Sequence, residues 1–256
     1  MQLAVIILTR NEEKNIRDCI ASADFADEVI VVDSGSDDMT CEIAEALGAK
    51  VYQHPMDEEG FAGQRNFALD QTTAEWVLYL DADERITPEL AAEIRQHIGK
   101  MPQQAADIKR ISVVIDQRMY HGVYRPDYIT RLFPRDKVQW EGVVHEHAQT
   151  DLPIIRLQSP AHHYCLTSWE QYFEKFNRYT TLMAEKMHQH GKKTNLMAAH
   201  LHAIFAFLQM YIMKRGFLDG KLGFILCEYH YFYTLTKYVK LYYLSQKNKS
   251  LGNGQG

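Results

Sequence analysis

The chain has no C-x-x-C pair: its four cysteines, Cys19, Cys41, Cys165 and Cys227, are scattered through 256 residues. That pattern argues against a disulfide frame or a zinc site and fits free thiols in a reducing compartment. There is no G-x-G-x-x-G, so a dinucleotide reader is not expected, and no G-x-x-x-x-G-K-[ST], so phosphates are not held by a P-loop. The opening MQLAVIILTRNEE lacks a basic start, and its apolar run is too short for a signal peptide. The longest apolar stretch, about Leu201 to Met213, includes His202 and Gln209. It falls short of the ~20 residues of a spanning helix. The expectation is therefore a soluble or peripheral cytoplasmic protein. Internal repeats and low-complexity blocks are missing too. A net charge of −5 is mild and speaks against a general nucleic-acid binder.

Apolar residues make up 46% of the chain, enough for one large domain or a domain with an appendage. Charge is unevenly spread. Between Met187 and Lys249, nine Lys or Arg face only Asp219 and Glu228, a surplus of +7, which leaves −12 for the rest. The front is acidic; the tail is basic and rich in Tyr, Phe and Leu.

The first hundred residues alternate apolar β-branched runs with helical patterns. LAVIIL (3–8), EVIVV (28–32), VYQH (51–54) and EWVLYLD (75–81) read as strands. Between them, Asn11 is a candidate helix cap followed by Glu12 and Glu13, Gly48 a helix stop, and Thr87 with Pro88 a cap and first position. Such alternation predicts an α/β fold, a mostly parallel sheet with helices on both faces. After about Pro102 strands follow without long helices, RMYHGVY among them, and from Ser168 the pattern is helical, broken near Gly191 and Gly216. The division expected is 1–101, 102–167 and a helical 168–256.

Ligands of an open parallel sheet bind beyond the carboxyl ends of its strands. Polar clusters stand there: Thr9, Arg10, Asn11 and Glu12 after the first strand, Asp33-Ser-Gly-Ser after the second, and Asp81, Asp83 and Glu84 after the fourth. Each alone could be an ordinary polar loop; three at equivalent positions point to one crevice. Acids so close together need a positive partner, which could be a cation, a basic side chain or water. A hard divalent ion, Mg²⁺ or Mn²⁺, bridging carboxylates to a diphosphate is one solution. Other readings remain open. Asp33 could cap its own loop, Asp81 and Asp83 could serve the N-terminus of the Thr87 helix, and Arg65 could pair with Asp70 or Glu75.

VIILTRNEE, VIVVDSGSDD, GQRNFAL and VLYLDADE, in this order, resemble the nucleotide-sugar half of glycosyltransferase family 2, whose fold is GT-A. The likeness continues more loosely through RLFPRDKVQWEGVVHEHA and AHHYCLTSW. With the tail phrase KRGFLDGKLGF, the whole chain is similar to the small lipopolysaccharide inner-core enzymes that add β-1,4-glucose to the first heptose. The resemblance implies an inverting, metal-dependent transfer from a UDP-sugar. It places Thr9 and Asp33 at the uracil, Arg65 near the base and diphosphate, Asp81 on the ribose or metal side, and Asp83 as the metal ligand. It puts Asn11 and Glu12 in the donor site. Glu146 or its neighbour His145 would be the catalytic base, and His163 or His162 would complete the metal shell.

The basic, aromatic tail suits a membrane interface with anionic lipids, which fits a lipid A–core acceptor at the inner face of the membrane. Lys237 and Lys240 stand at helical spacing for that contact, although the apolar residues also fit a helical subdomain core. Competing functions are a sugar nucleotidyltransferase, for which TRNEEKN lacks the expected glycines, and a membrane-associated scaffold with a degenerate nucleotide pocket.

Overall fold

The structure is a computed structural model that describes residues 1–56, 60–100, 104–142 and 146–252, with side chains as far as residue 246. The chain divides into two compact units. The first comprises Met1–Ile111 and Asp127–Tyr164; the second comprises Ser112–Pro126 and Cys165–Gly256. The change of pattern near residue 102 thus falls inside the first unit, and Ser112–Pro126 belongs with the C-terminal helices.

In the first unit, the strands β1 (Leu3–Thr9), β2 (Glu28–Asp33), β3 (Lys50–Gln53) and β4 (Trp76–Asp81) form a parallel half-sheet in the order β3-β2-β1-β4. The helices α1 (Ile16–Ser22), α2 (Thr40–Ala46) and α3 (Gly60–Asp70) make the crossovers. β1 is buried on both faces, which is why LAVIIL reads as an unbroken apolar run rather than an alternation. Leu3, Val5 and Ile7 pack with Ile16, Cys19 and Ile20 of α1 and with Ile94 and Ile98 of α4 (Pro88–Gly99). Ile6 packs on the opposite face with Ala62, Ala68 and Leu69 of α3. Helices therefore cover both faces, as expected. α4 begins as predicted, with Thr87 Oγ1 accepting from Leu90 N at 3.2 Å and Pro88 in its first turn.

Beyond β4 the sheet turns antiparallel, through β5 (Glu84–Ile86), β6 (Ala105–Val114) and the strands beyond it. In order, these are β7 (Gln117–Arg118), β8 (Asp127–Pro134), β9 (Gln139–Glu141), β10 (His147–Gln149) and β11 (Ile154–Leu166). β4 pairs with β8, β8 with β6, and β11 with β5, while β9 and β10 form a separate ribbon. Two local expectations change. Asn11 does not cap a helix: it sits in the left-handed region (φ 56°), and α1 starts only at Ile16. RMYHGVY is not a strand beyond Arg118, because Gly122–Tyr124 forms a 3₁₀ turn.

The second unit is built on α5 (Trp169–Gln189), α6 (Leu196–Leu208, continued as a π-helix through Met213) and α7 (Gly220–Gly252). Its breaks fall near Gly191 and Gly216, as read from the sequence. The KRGFLDGKLGF phrase forms the joint before α7. Asp219 is buried there, accepting from the backbone N–H of Tyr120 and His121 at 3.0 and 2.8 Å and from His121 Nδ1 at 2.8 Å. Lys240 is engaged internally, donating to Asn177 Oδ1, Thr180 Oγ1 and Thr181 Oγ1 within 2.9 Å. Lys237 lies against the rings of Tyr233 and Tyr238, and burial lowers its pKa. Lys240 thus ties α7 to α5, while Lys237 lies half-buried against rings of its own helix.

Candidate active site

The strand register brings the polar clusters level. Thr9 is the neighbour of Asp33 across β1–β2, and Leu8 is the neighbour of Asp81 across β1–β4. The expected crevice at the carboxyl ends of the strands is therefore a single edge of the first unit.

The loops after β1 and β2 are laced together. Asn11 N donates to Ser36 Oγ and Asn11 Oδ1 accepts from Asp37 N, while Glu12 N donates to Thr40 Oγ1. Asp33 is fully buried and accepts from Gly35 N, Ser36 N and Ser36 Oγ. Its carboxylate caps its own turn, which fixes the Ser-Gly-Ser loop. Gln64, also fully buried, donates to Ser34 Oγ and to the His54 carbonyl. Thr9 Oγ1, Gln64 Oε1, Arg65 Nε and Arg131 Nε are buried and lack hydrogen-bond partners among the described residues. Buried polar atoms are usually paired, so unpaired ones around one edge mark places where a polar ligand fits.

The acidic knot is neutralised by arginines. Arg131, buried on β8, donates to Asp81 Oδ2 and, at 3.4 Å, to Glu84 Oε1. Arg110 on β6 reaches Glu84 Oε1 at 2.9 Å and grips both oxygens of Asp127. Arg65 Nη2 stands 3.6 Å from Asp81 Oδ1 and 3.7 Å from Glu146 Oε1. Burial raises the Asp81 carboxyl, but Arg131 and Arg65 outweigh it and hold the group below the usual carboxylate range. Asp127 behaves alike: burial pushes it up, and the paired Arg110 brings it below its ordinary value. Arg65 is pulled down by burial and by Arg131. Its guanidinium lies over the Trp140 ring, 4.3 Å from the centroid, a cation–π position. Asn66 braces that ring's strand, exchanging hydrogen bonds with the Trp140 backbone at 2.9 Å in both directions.

Asp83 stands outside this network. Among the described residues its ion-pair partner is His163, with Nε2 3.2 Å from Asp83 Oδ2, and its backbone carbonyl accepts from Tyr164 N. β11 pairs with β5 so that His163 lies opposite Glu84 and His162 opposite Arg85. Successive residues of a strand point to opposite faces, so the register presents one of the two histidines to Asp83. That one is His163.

The structure thus gathers Asp81, Arg65 and Glu146, sets Asp83 beside His163, and aligns Thr9 and Asp33 on the same edge. Asn11 and Glu12 hold the rim of that edge. His145 lies outside the described residues. Arg65 pairs with Asp81 and Glu146, not with Asp70 or Glu75, and β5 separates the acidic knot from α4, so those acids do not serve that helix's N-terminus. Arg110, Arg131, Gln64 and Trp140 escape a reading of sequence alone, because no spacing announces a charge arriving from a distant strand.

The glycosyl transferase family 2 model matches residues 4–159. An uncharacterized glycosyltransferase of Rickettsia prowazekii is 30% identical over 267 residues, covering 98% of this chain and 90% of that one. The chain belongs to glycosyltransferase family 2. The lipopolysaccharide core biosynthesis glycosyltransferase LpsC of Rhizobium meliloti is 27% identical over 240 residues, 88% of this chain and 86% of LpsC. Glucosyl-3-phosphoglycerate synthase of Mycobacterium tuberculosis, crystallised with Mn²⁺, UDP and glucosyl-3-phosphoglycerate, is 24% identical over 43% of each chain, with a TM-score of 0.36. Membership rests on the sequence matches and not on that partial overlap. The parallel half-sheet with its antiparallel continuation and C-terminal helices is the GT-A arrangement that the resemblance implies.

A divalent cation is expected of such a site. Among the described residues no three His, Cys, Asp or Glu side chains cluster as a metal cage. Asp83 and His163 offer two donors, and both are partly exposed. That set fits an Mg²⁺ or Mn²⁺ ion that takes its remaining ligands from a substrate diphosphate and water.

Proposed function

We propose that this family 2 enzyme transfers a hexose, glucose by its resemblance, from a UDP-sugar to a heptose of the lipopolysaccharide inner core, with inversion. The observation that carries the donor half is the Asp83–His163 pair on an edge otherwise neutralised by arginines. An acid left outside an arginine network, beside an imidazole, is a place for a cation and the diphosphate it accompanies. The name and length match of LpsC support the lipopolysaccharide acceptor. The basic tail supports a lipid-linked acceptor met at the inner face of the membrane.

Glu146 is the base in this reading. It would take the acceptor hydroxyl proton as that oxygen attacks the anomeric carbon. Arg65 Nη2, 3.7 Å from Glu146 Oε1, positions that carboxylate beside the donor-side charges. A single displacement from an α-linked donor leaves a β-linked product. Thr9 and Asp33 stand at the base-binding end, Asn11 and Glu12 hold the loop that rims it, and Asp81 with Arg131 fixes the floor. A bound Mg²⁺ or Mn²⁺ would supply Lewis-acid stabilisation of the departing diphosphate.

The test is incubation of the purified chain with UDP-hexoses, Mn²⁺ and inner-core acceptors, read by mass spectrometry and linkage analysis. One hexose gained on heptose in β-linkage is the expected result. Metal-independent UDP binding with no turnover of any UDP-hexose would favour the scaffold reading instead.

A further inference from the structure

α6 is assembled inside out. Its buried positions are alanines, Ala199, Ala203 and Ala206, and the helix packs on α7. Its large apolar side chains point away, with Met197, Leu201, Ile204, Phe205, Leu208 and Ile212 each between 43% and 71% exposed. At 3.6 residues per turn these six form one stripe, opposite the alanines. A helix in water buries its large residues and exposes its small ones. Including the π-helical turn, Leu196–Met213 is 18 residues of continuous helix, and by length and composition it could cross a membrane. The run counted from sequence is shorter because it begins five residues later.

Charge chooses the occupant. The stripe itself carries no charged residue. Exposed Lys192 and Lys193 stand before it, and exposed Lys214, Arg215 and Lys221 stand after it. Between Lys192 and Lys221 the acid is Asp219, which is buried and engaged with His121. An apolar stripe bracketed by cations matches acyl chains beneath anionic head groups. Crossing does not fit the same geometry. α6 packs along α7, which carries Glu228, Lys237 and Lys240, and such residues are costly in a hydrocarbon core.

We infer that the Met197–Ile212 stripe of α6 is a membrane-insertion surface that lies in the plane of one anionic leaflet, with Lys192, Lys193, Lys214, Arg215 and Lys221 on the head groups. This refines the membrane contact of the proposed function and relies on that reading only for what the contact serves. It also moves the contact from Lys237 and Lys240 to a different helix.

The experiment is flotation of the full chain with phosphatidylcholine vesicles, with and without phosphatidylglycerol, comparing wild type with Leu201→Asp/Phe205→Asp and with Lys192→Gln/Lys193→Gln/Lys214→Gln. Wild type is expected to float with the anionic vesicles and to be released by carbonate. The aspartate variant should lose binding by about tenfold or more, and the glutamine variant should lose its preference for anionic lipid. Both altered sets are exposed, so circular dichroism and UDP binding should stay unchanged. Retained UDP binding separates failure here from failure of the transferase reading. Equal flotation of the aspartate variant and wild type would overturn the inference, as would resistance to carbonate extraction, which means spanning. So would a dimer that the aspartate variant breaks in a protein that binds no vesicles, because the stripe would then be a subunit interface.

Discussion

His163 Nε2 lies 3.2 Å from Asp83 Oδ2, although eighty residues of chain separate them. β11 and β5 create the meeting by pairing antiparallel at the carboxyl end of the sheet. If the pair serves a cation, Asp83→Ala and His163→Ala should each remove the Mn²⁺-dependent part of UDP binding. A loss of about tenfold or more in calorimetry is expected from either change, as for other ligand and outer-shell deletions at metal sites. His162→Ala should leave the affinity where it was. Equal losses for the two histidines would assign the site wrongly.

Glu146 touches the donor-side charges through Arg65, whose Nη2 also approaches Asp81. A base acts in the transition state, not in donor binding. Glu146→Gln should therefore lower kcat by about 10²–10⁴-fold and leave UDP affinity within about twofold, a change under 0.5 kcal/mol. Steady-state kinetics beside calorimetry separates the two. If the variant weakens binding and spares kcat, the proton goes elsewhere.

Much of this was legible from local pattern, and the remainder was not for a physical reason. LAVIIL reads as a strand because both of its faces are buried, and Thr87-Pro88 reads as a helix start because capping chemistry is local. Asp81 and Asp83 look alike in sequence, yet one is held by Arg131 and the other faces His163. Those partners arrive from β8 and β11, fifty and eighty residues away, and no local propensity encodes a strand register. Asn11 misleads in the same way. Its residue type suits a cap, but hydrogen bonds to Ser36 and Asp37 hold it in a left-handed turn. The α6 stripe is also invisible to a hydrophobicity count, which weighs residues and not the direction they face.

Arg131 is the cation most deeply set among the acids. Breaking a buried ion pair costs about 3–5 kcal/mol. Here Arg110 still neutralises Glu84, and Asp81 keeps about a third of its side-chain exposure, where solvent screens it. Arg131→Leu should thus lose about 2 kcal/mol in urea unfolding. The pH dependence follows from the depressed folded-state values of Asp81 and Asp127. Their stabilisation is complete above the unfolded Asp value, about pH 4, and is lost as pH falls through the lower folded values. Wild-type stability should drop across that acid window, and the Arg131 variant should drop less steeply because Asp81 then keeps Arg65 but loses its largest stabilising partner. Parallel curves would mean that Asp81 takes nothing from Arg131.

The joint before α7 gives a prediction for the second unit. A Cβ on Gly223 would sit 2.3 Å from the Gly216 carbonyl oxygen and 2.8 Å from Asp219 Cβ. The first neighbour is backbone and cannot rotate away. Asp219 is also fixed, because its carboxylate receives the Tyr120 and His121 amides. Alanine gains up to about 1 kcal/mol of helix propensity over glycine, but the overlap costs about 1–3 kcal/mol and forces the 3₁₀ turn at Gly216 to shift. Gly223→Ala should therefore lower the Tm, with the loss concentrated in the helical signal of circular dichroism. A raised Tm would show that the joint has room the packing denies.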